Sequence, residues 1–497
     1  SYRFGSSNRP TVLRGGYSIF AYPESLRLFQ GLTAMTVPSL GVIQNNPNLA
    51  EQSPDGLPNY MLRSAPTIVA GLNSKNALDV NKVTGITRGS GSAYYMDPNQ
   101  PTARAHEWNL TLERELMTDT VVKAGWIGTH GARMAQWNSY NDNPPTYVYY
   151  ATTKNPSPTG EYASVVNRPF ENTVLGTIQR YQKTGWSNDN SFQFEFEHRY
   201  SKGWAAQAFY VMSNAMRVAG DGWRDDTLVG TNQFMPGIVP ADDNARNRLL
   251  YYRRDTSIPK HRVNWNFLVD LPIGKGKMIG RDSGRLLNAL IGGWQVAGYG
   301  SLISRYFQLP TGYWGAQSNV QVYGKKYPIQ DCRSGVCYDG WLYWNGYIPA
   351  NQINSYGSNG KPNGVMGVPS DYTPFQKYII SRPANGGSSS DPMYNYYETN
   401  TVWITLNNGV NQPVAYNTGL HPLRNQFVLG PMRWNMSASA FKTVALTEKV
   451  ALRVNVDFLD NVFNMPGTTL PGGDGVITNK NSDNSPRTLQ LTMRLSW

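Results

Sequence analysis

Large apolar residues at every second position, repeated along a chain with no long apolar run, restrict this sequence more than any other feature. In SFQFEFEHRY, Phe192, Phe194 and Phe196 alternate with Gln193, Glu195 and Glu197. HEWNLTLEREL sets Trp108, Leu110 and Leu112 against Asn109, Thr111 and Glu113, and HRVNWNFLVDL sets Val263, Trp265, Phe267 and Val269 against Asn264, Asn266 and Asp270. KVALRVNVDFLD places Leu452, Val454, Val456 and Phe458 opposite Arg453, Asn455 and Asp457. In the closing SPRTLQLTMRLSW, Leu489, Leu491, Met493, Leu495 and Trp497 alternate with Gln490, Thr492, Arg494 and Ser496. A period of two belongs to strands with one oily and one wet side. A soluble sandwich and a barrel both satisfy it.

The connections separate these architectures. Ten strands are expected near residues 11–22, 104–116, 119–131, 190–200, 204–215, 261–271, 290–304, 432–444, 449–462 and 486–497. The tight turns ELMTDT, YSKG and LTEK, and the intermediate PIGKGKMIGRDSGRLLNALIGG, take turns with very long excursions over 23–103, 132–189, 216–260 and 305–431. A soluble sheet has no reason to gather its long excursions at one end, whereas outer-membrane barrels have short periplasmic turns and long outer loops. The pattern predicts an all-β fold, a transmembrane antiparallel β-barrel of about ten strands in this chain with long extracellular loops, and a location in the cell outer membrane.

Composition agrees. Charged residues make up 16% of the 497, against about 25% in ordinary soluble domains, while 31 Tyr and 14 Trp suit a membrane boundary or a sugar-contacting surface. Mean hydropathy is −0.47, and no apolar run approaches the ~18 residues of a membrane helix, which excludes a helical membrane protein but not a barrel. The net charge of +12 is scattered without a basic run or basic helix, so nucleic acid is not an expected partner. The amino terminus, SYRFGSSNRP, carries no basic-then-apolar signal segment.

The two cysteines, Cys332 and Cys337 in QDCRSGVCYDG, fall in the longest outer loop, 305–431. Their spacing fits a disulfide closing a loop tip in an oxidising compartment, the alternative being two free thiols; without a nearby His they make a poor zinc site. WLYWNGY follows, and its Trp341, Tyr343 and Trp344 are candidates for stacking on a ligand or for packing the loop against itself. Asp221, Asp225 and Asp226 in GDGWRDD, with Asp242 and Asp243 in ADDN, are weak structural-calcium candidates because they lack EF-hand spacing. No other metal site and no cofactor is expected. His106, His130, His198, His261 and His421 are dispersed, four of them at expected strand ends, and read as interfacial or hydrogen-bonded residues. With no HExxH, GxSxG, Walker or dinucleotide motif, an enzyme is not expected.

The stretches TVLRGGYSIFAYP, HEWNLTLERELMTDTVVKAGWIGTHGARM, SFQFEFEHRYSKGWAAQAFYVMSNAM, KHRVNWNFLVDLPIGKGK, LIGGWQVAGYGSLISRYFQLP and GPMRWNMSASAFKTVALTEKVALRVNVDFLDNVFNMPG resemble, in order, the second half of the TonB-dependent receptors related to Oar, abundant in acidobacteria. The resemblance implies a 22-stranded barrel whose lumen is closed by an N-terminal plug, and uptake of a captured solute driven through TonB. It makes residues 1–497 the C-terminal barrel portion, with the plug and the remaining wall supplied by an N-terminal portion of the same receptor; the alternative is that the chain closes on itself as a smaller barrel. Trp497 is similar to the C-terminal aromatic read by the barrel-assembly machinery, a plain interfacial anchor being the alternative. The leading expectation is thus a solute receptor and transporter. A barrel-anchored structural or adhesive surface protein is the second reading, and a soluble secreted carbohydrate-binding protein the third.

Overall fold

The computed structural model describes residues 1–5, 9–23, 91–97, 99–141, 175–218, 227–228, 240–309, 320–373, 379–380, 401–405, 411–415, 427–463, 469–479 and 486–497. Ten long strands form the wall: β1 (Thr11–Tyr22), β2 (Ala103–Met117), β3 (Thr120–Ser139), β4 (Leu175–Ser201), β5 (Trp204–Arg217), β6 (His261–Asp270), β7 (Trp294–Ile303), β8 (Arg433–Ala445), β9 (Ala451–Leu459) and β10 (Thr488–Ser496). Each pairs antiparallel with its neighbours in sequence, so the sheet is a continuous up-and-down meander. The turns between β2 and β3, β4 and β5, and β8 and β9 are tight, that between β6 and β7 is intermediate, and the other connections between these strands are long.

The register shows how the sequence is sorted. Leu110 pairs with Trp126, Trp126 with Phe192, and Phe192 with Met212; farther along, Phe267 faces Gly298, Gly298 faces Ala438, Ala438 faces Phe458, and Phe458 faces Leu489. Cross-strand partners share a face, so one side of the wall is an unbroken apolar surface. That surface is not a protein core: Phe192 is 42% exposed and Leu491 65%, and Trp265 and Val454 are half-buried. Trp265 lies over Gly300 and Phe267 over Gly298, where an added Cβ would fall 2.4 Å and 2.8 Å from the rings. The aromatic plates thereby cover the backbone of the neighbouring strand, which has no side chain of its own there.

The opposite face is polar and internally bonded. Lys123 pairs with Glu195 at 3.2 Å, Gln207 donates to Glu195 at 3.3 Å, and Asn266 donates to Gln207 at 3.2 Å. At the short-turn end, Tyr200 and Gln295 both donate to the Asp270 carboxylate at 2.7 Å. A water-filled lumen accommodates such a ladder; hydrocarbon does not.

Hydrogen-bonded histidines bound the apolar band on both sides. Toward the long loops, His106 bonds Tyr17 at 2.7 Å and His130 bonds Asn188 at 2.7 Å; toward the tight turns, His198 bonds Thr120 at 2.7 Å and stacks 3.6 Å from Trp204. From Asn188 to His198 the strand runs ten residues, about 33 Å at the usual rise. At the usual barrel tilt this is about 25 Å along the normal, the height of an outer-membrane apolar band. His261 bonds Tyr210 at 2.9 Å, and His421 lies outside the described residues. The interfacial, hydrogen-bonded reading holds for the four described.

Four boundaries differ from expectation. β3 continues to Ser139 and β4 starts at Leu175, inside a stretch expected to be loop. The pairing there shifts between Ala132 and Met134 and again between Met134 and Gln136, and such bulges erase the period of two that reveals a strand. The segment expected as one strand over 290–304 opens with the end of a helix, Arg285–Ile291. β9 stops at Leu459 rather than 462. Among the described residues no ladder joins β1 to β10; β1 is met on its outer side only by Tyr2–Phe4, opposite Thr11–Leu13.

Candidate functional site

The hydrophobic core sits outside the wall, in a cap assembled from two outer connections. Strands Pro328–Asp331, Tyr338–Leu342 and Val365–Met366 come from the connection between β7 and β8, and Val476–Thr478 from that between β9 and β10. They form one antiparallel sheet over Ile329, Leu342, Ile348, Val365, Val368 and Val476. Gly340 makes the join possible: a Cβ there would lie 2.0 Å from the Ile477 carbonyl oxygen.

Cys332 and Cys337 are bonded across the tip of the first hairpin. Between them Arg333 forks onto Asp331, at 2.8 Å from Nε and 2.7 Å from Nη2, and reaches Asp474 at 2.6 Å. The hydrogen bonds that Arg333 donates to Asp331 and Asp474 hold the guanidinium in its charged form, its pKa raised against the opposing effect of burial. One side chain therefore ties the disulfide tip to the second connection.

The three expected loop aromatics meet in this cap with different fates. Trp344 is fully buried at 0% exposure, packs against Phe307 at 5.5 Å and donates its indole N–H to the Gly472 carbonyl at 3.1 Å; it is a core residue and offers no surface to a ligand. Tyr343 is half-buried, edge-on to Phe307 at 6.3 Å. Trp341 is half-buried, with Lys325 Nζ 5.0 Å above its ring. Among the described residues the exposed cap aromatics are Tyr347 and Tyr356, which differ from their buried neighbours in no way the sequence displays.

A second cluster stands on the extended ends of β3 and β4. Arg180 pairs with Asp97 and donates to the Tyr140 hydroxyl at 3.2 Å. Gln182 donates to Asp243 at 3.2 Å, Thr184 to Gln136 at 2.7 Å, and Asn247 to Gln136 at 2.9 Å. Asp97, Tyr140, Arg180, Gln182, Thr184 and Asp243 border a cavity of about 550 Å³ that Lys183, Asn99 and Asp242 also line. The Asp97 carboxyl is held below its ordinary pKa, first by the Asn99 backbone N–H and then by Arg180. Asp242 caps a helical turn by accepting from the Ala245 N–H at 2.8 Å, and Asp243 pairs with Arg246 at 2.6 Å, so both carboxylates have protein partners. Asp221, Asp225 and Asp226 lie outside the described residues. Among the described residues no group of three His, Cys, Asp or Glu side chains is placed to hold a metal ion. Asp97 and Arg180 were invisible as a site in sequence, since 83 positions separate them.

A lipid-facing apolar wall, a polar inner ladder and a folded cap on the long connections define an integral outer-membrane β-barrel protein. A family model described as "Outer membrane beta barrel domain" matches residues 1–328, and the chain belongs to that family. The soluble, secreted reading is thereby overturned. No curated protein matches the chain. Among solved structures, similarity extends to the Pseudomonas aeruginosa FpvA receptor bound to a heterologous pyoverdine, at 8% identity and TM-score 0.34, covering 99% of this chain and 32% of that one. The Escherichia coli outer membrane transporter YddB is similar at 9% identity and TM-score 0.34, covering 82% and 34%. The FrpB iron transporter from Neisseria meningitidis follows at 7% identity and TM-score 0.29, covering 82% and 33%. The chain spans about a third of the length of these structures, and superpositions this loose transfer no residue, ligand or partner.

Proposed function

We propose that this chain is the C-terminal barrel portion of a TonB-dependent type receptor that captures a polar solute on its outer side for uptake. The observation carrying this reading is the stacking of parts along one axis: a wall whose oily face meets lipid, an inner face laddered with Glu, Gln, Asn and Lys, and a hydrogen-bonded cavity at Asp97, Arg180 and Lys183 on the outward-extended strands. The open ladders of β1 and β10 are completed by further wall strands of the same receptor, because unpaired backbone groups in hydrocarbon each cost several kcal/mol. Those further parts supply the plug and the TonB contact. Trp497, 89% exposed beyond β10, stands at the rim of the wall, where an aromatic ring suits the lipid–water interface.

A second reading keeps the barrel and drops transport. The cap's own core, disulfide and Arg333 clamp give it the rigidity of a contact module on an anchored surface protein. Uptake separates the two. Compounds co-purifying with the receptor from native outer membrane are identified by mass spectrometry, and the best is followed into cells with and without a protonophore. Receptor-dependent uptake that the protonophore abolishes is expected; uptake that ignores it, or none at all with loss of surface attachment on deletion, contradicts transport.

A further inference from the structure

The connection between β6 and β7 does more than turn the chain. Residues 272–293, PIGKGKMIGRDSGRLLNALIGG, contain four basic residues and one acidic one, and the Arg285–Ile291 helix projects Leu286 and Leu290, 85% and 73% exposed, with Leu287 also exposed. Three exposed leucines on seven helical residues belong to neither buried apolar cluster of the described residues.

Their position is set by the wall. Trp294 pairs with Lys442, Lys442 with Val454, and Val454 with Met493, so Lys442 belongs to the lipid-facing row although it is charged. It is nonetheless buried, because it extends to the helix and donates to the Ala289 carbonyl at 2.6 Å and the Asn288 carbonyl at 3.4 Å. Trp294 donates its indole N–H to the Leu290 carbonyl at 2.9 Å. The last carbonyls of a helix need donors, and here both donors reach out from the lipid-facing row. The helix is thus held against the oily face at its periplasmic rim, continuous with the surface that meets lipid, and not beneath the lumen. Lys275, Lys277, Arg281 and Arg285 surround it and are exposed.

We propose that the Arg285–Ile291 helix is an interfacial foot seated in the periplasmic leaflet, its leucines among acyl chains and the four basic side chains among anionic phospholipid phosphates. A short helix with an exposed apolar face, preceded by cations in its own turn, suits the plane of such an interface, and each cation near an anionic surface is worth on the order of a five-fold gain in attraction. The foot braces the wall between its two most widely connected adjacent strands on the periplasmic side.

The test uses the whole folded protein in vesicles. Because the native cysteines are bonded to each other, Leu286→Cys and Leu290→Cys each carry a single fluorescent probe, and Lys449→Cys, in a tight periplasmic turn, serves as the exposed control. In vesicles of zwitterionic phospholipid containing a fraction of phosphatidylglycerol, the helix probes should be quenched by brominated acyl chains and sheltered from iodide, and more so than without phosphatidylglycerol. Replacing Lys275, Lys277, Arg281 and Arg285 with Gln should remove the phosphatidylglycerol dependence. Iodide quenching equal to the control overturns the proposal. Shelter from both quenchers also overturns it, as the mark of a covering protein or second copy, and so does a phosphatidylglycerol effect that survives the quadruple replacement.

Discussion

Single side chains in the cap show how far an outer connection departs from loose loop. Trp344 fills the space beside Phe307 and Leu309, so Trp344→Ala removes a fully buried ring and should lower the local stability of the cap by about 3–5 kcal/mol. Hydrogen exchange over residues 327–348 should accelerate accordingly while heat-modifiable gel migration, which reports the wall, stays as in the parent. Unchanged exchange would contradict the core assignment. Asp97 carries a prediction about pH. Its folded pKa lies below the unfolded value, so its contribution is fully present above the ordinary carboxylate range and is lost as pH falls through the lowered value. Local protection around Arg180 should therefore be flat from pH 8 to about 5 and fall only below about 4. Asp97→Asn should flatten that acid limb at a cost of about 1 kcal/mol or less, since the partners are partly exposed; an acid limb of the same size in the variant would refute it. The separation of Trp344 from Trp341 and Tyr343 was not legible in WLYWNGY: all three are aromatic, and only the docking of the 469–479 segment decides which ring is enclosed.

At the scale of the element, the strands were legible wherever a regular ladder enforces alternation. All ten wall strands occur where the period of two predicts them, because lipid on one side and water on the other leave each position a single acceptable chemistry. The pattern fails at the bulges after Ala132 and at Pro328–Asp331 and Val476–Thr478, which are three or four residues long and are specified by partners far away in sequence. The Arg285–Ile291 helix is hidden for another reason: seven residues are too few to display a helical period, and its leucines run on into the apolar start of the next strand. The two faces make a paired prediction. Phe194→Arg, near mid-band on the lipid face, should destabilise the wall by about 2–4 kcal/mol, whereas Gln193→Arg on the lumen face should be close to neutral. Denaturant midpoints of the two variants in the same vesicles check this, and equal losses would contradict the assigned faces.

The molecule as a whole is a sheet without a core of its own beneath a cap that has one. The buried apolar clusters lie in the outer connections, while Phe192, Phe194, Leu491 and Met493 on the wall are exposed. A bilayer must supply the missing half of the packing. The most direct measurement is a nitroxide scan through residues 192–197, one cysteine variant at a time, with the full chain in phospholipid vesicles. Labels at 192, 194 and 196 should collide freely with oxygen and poorly with a water-soluble nickel chelate, and labels at 193, 195 and 197 should show the reverse. Labels at 192, 194 and 196 shielded from both reagents, as inside a protein core, would contradict the membrane-facing wall on which the receptor reading stands.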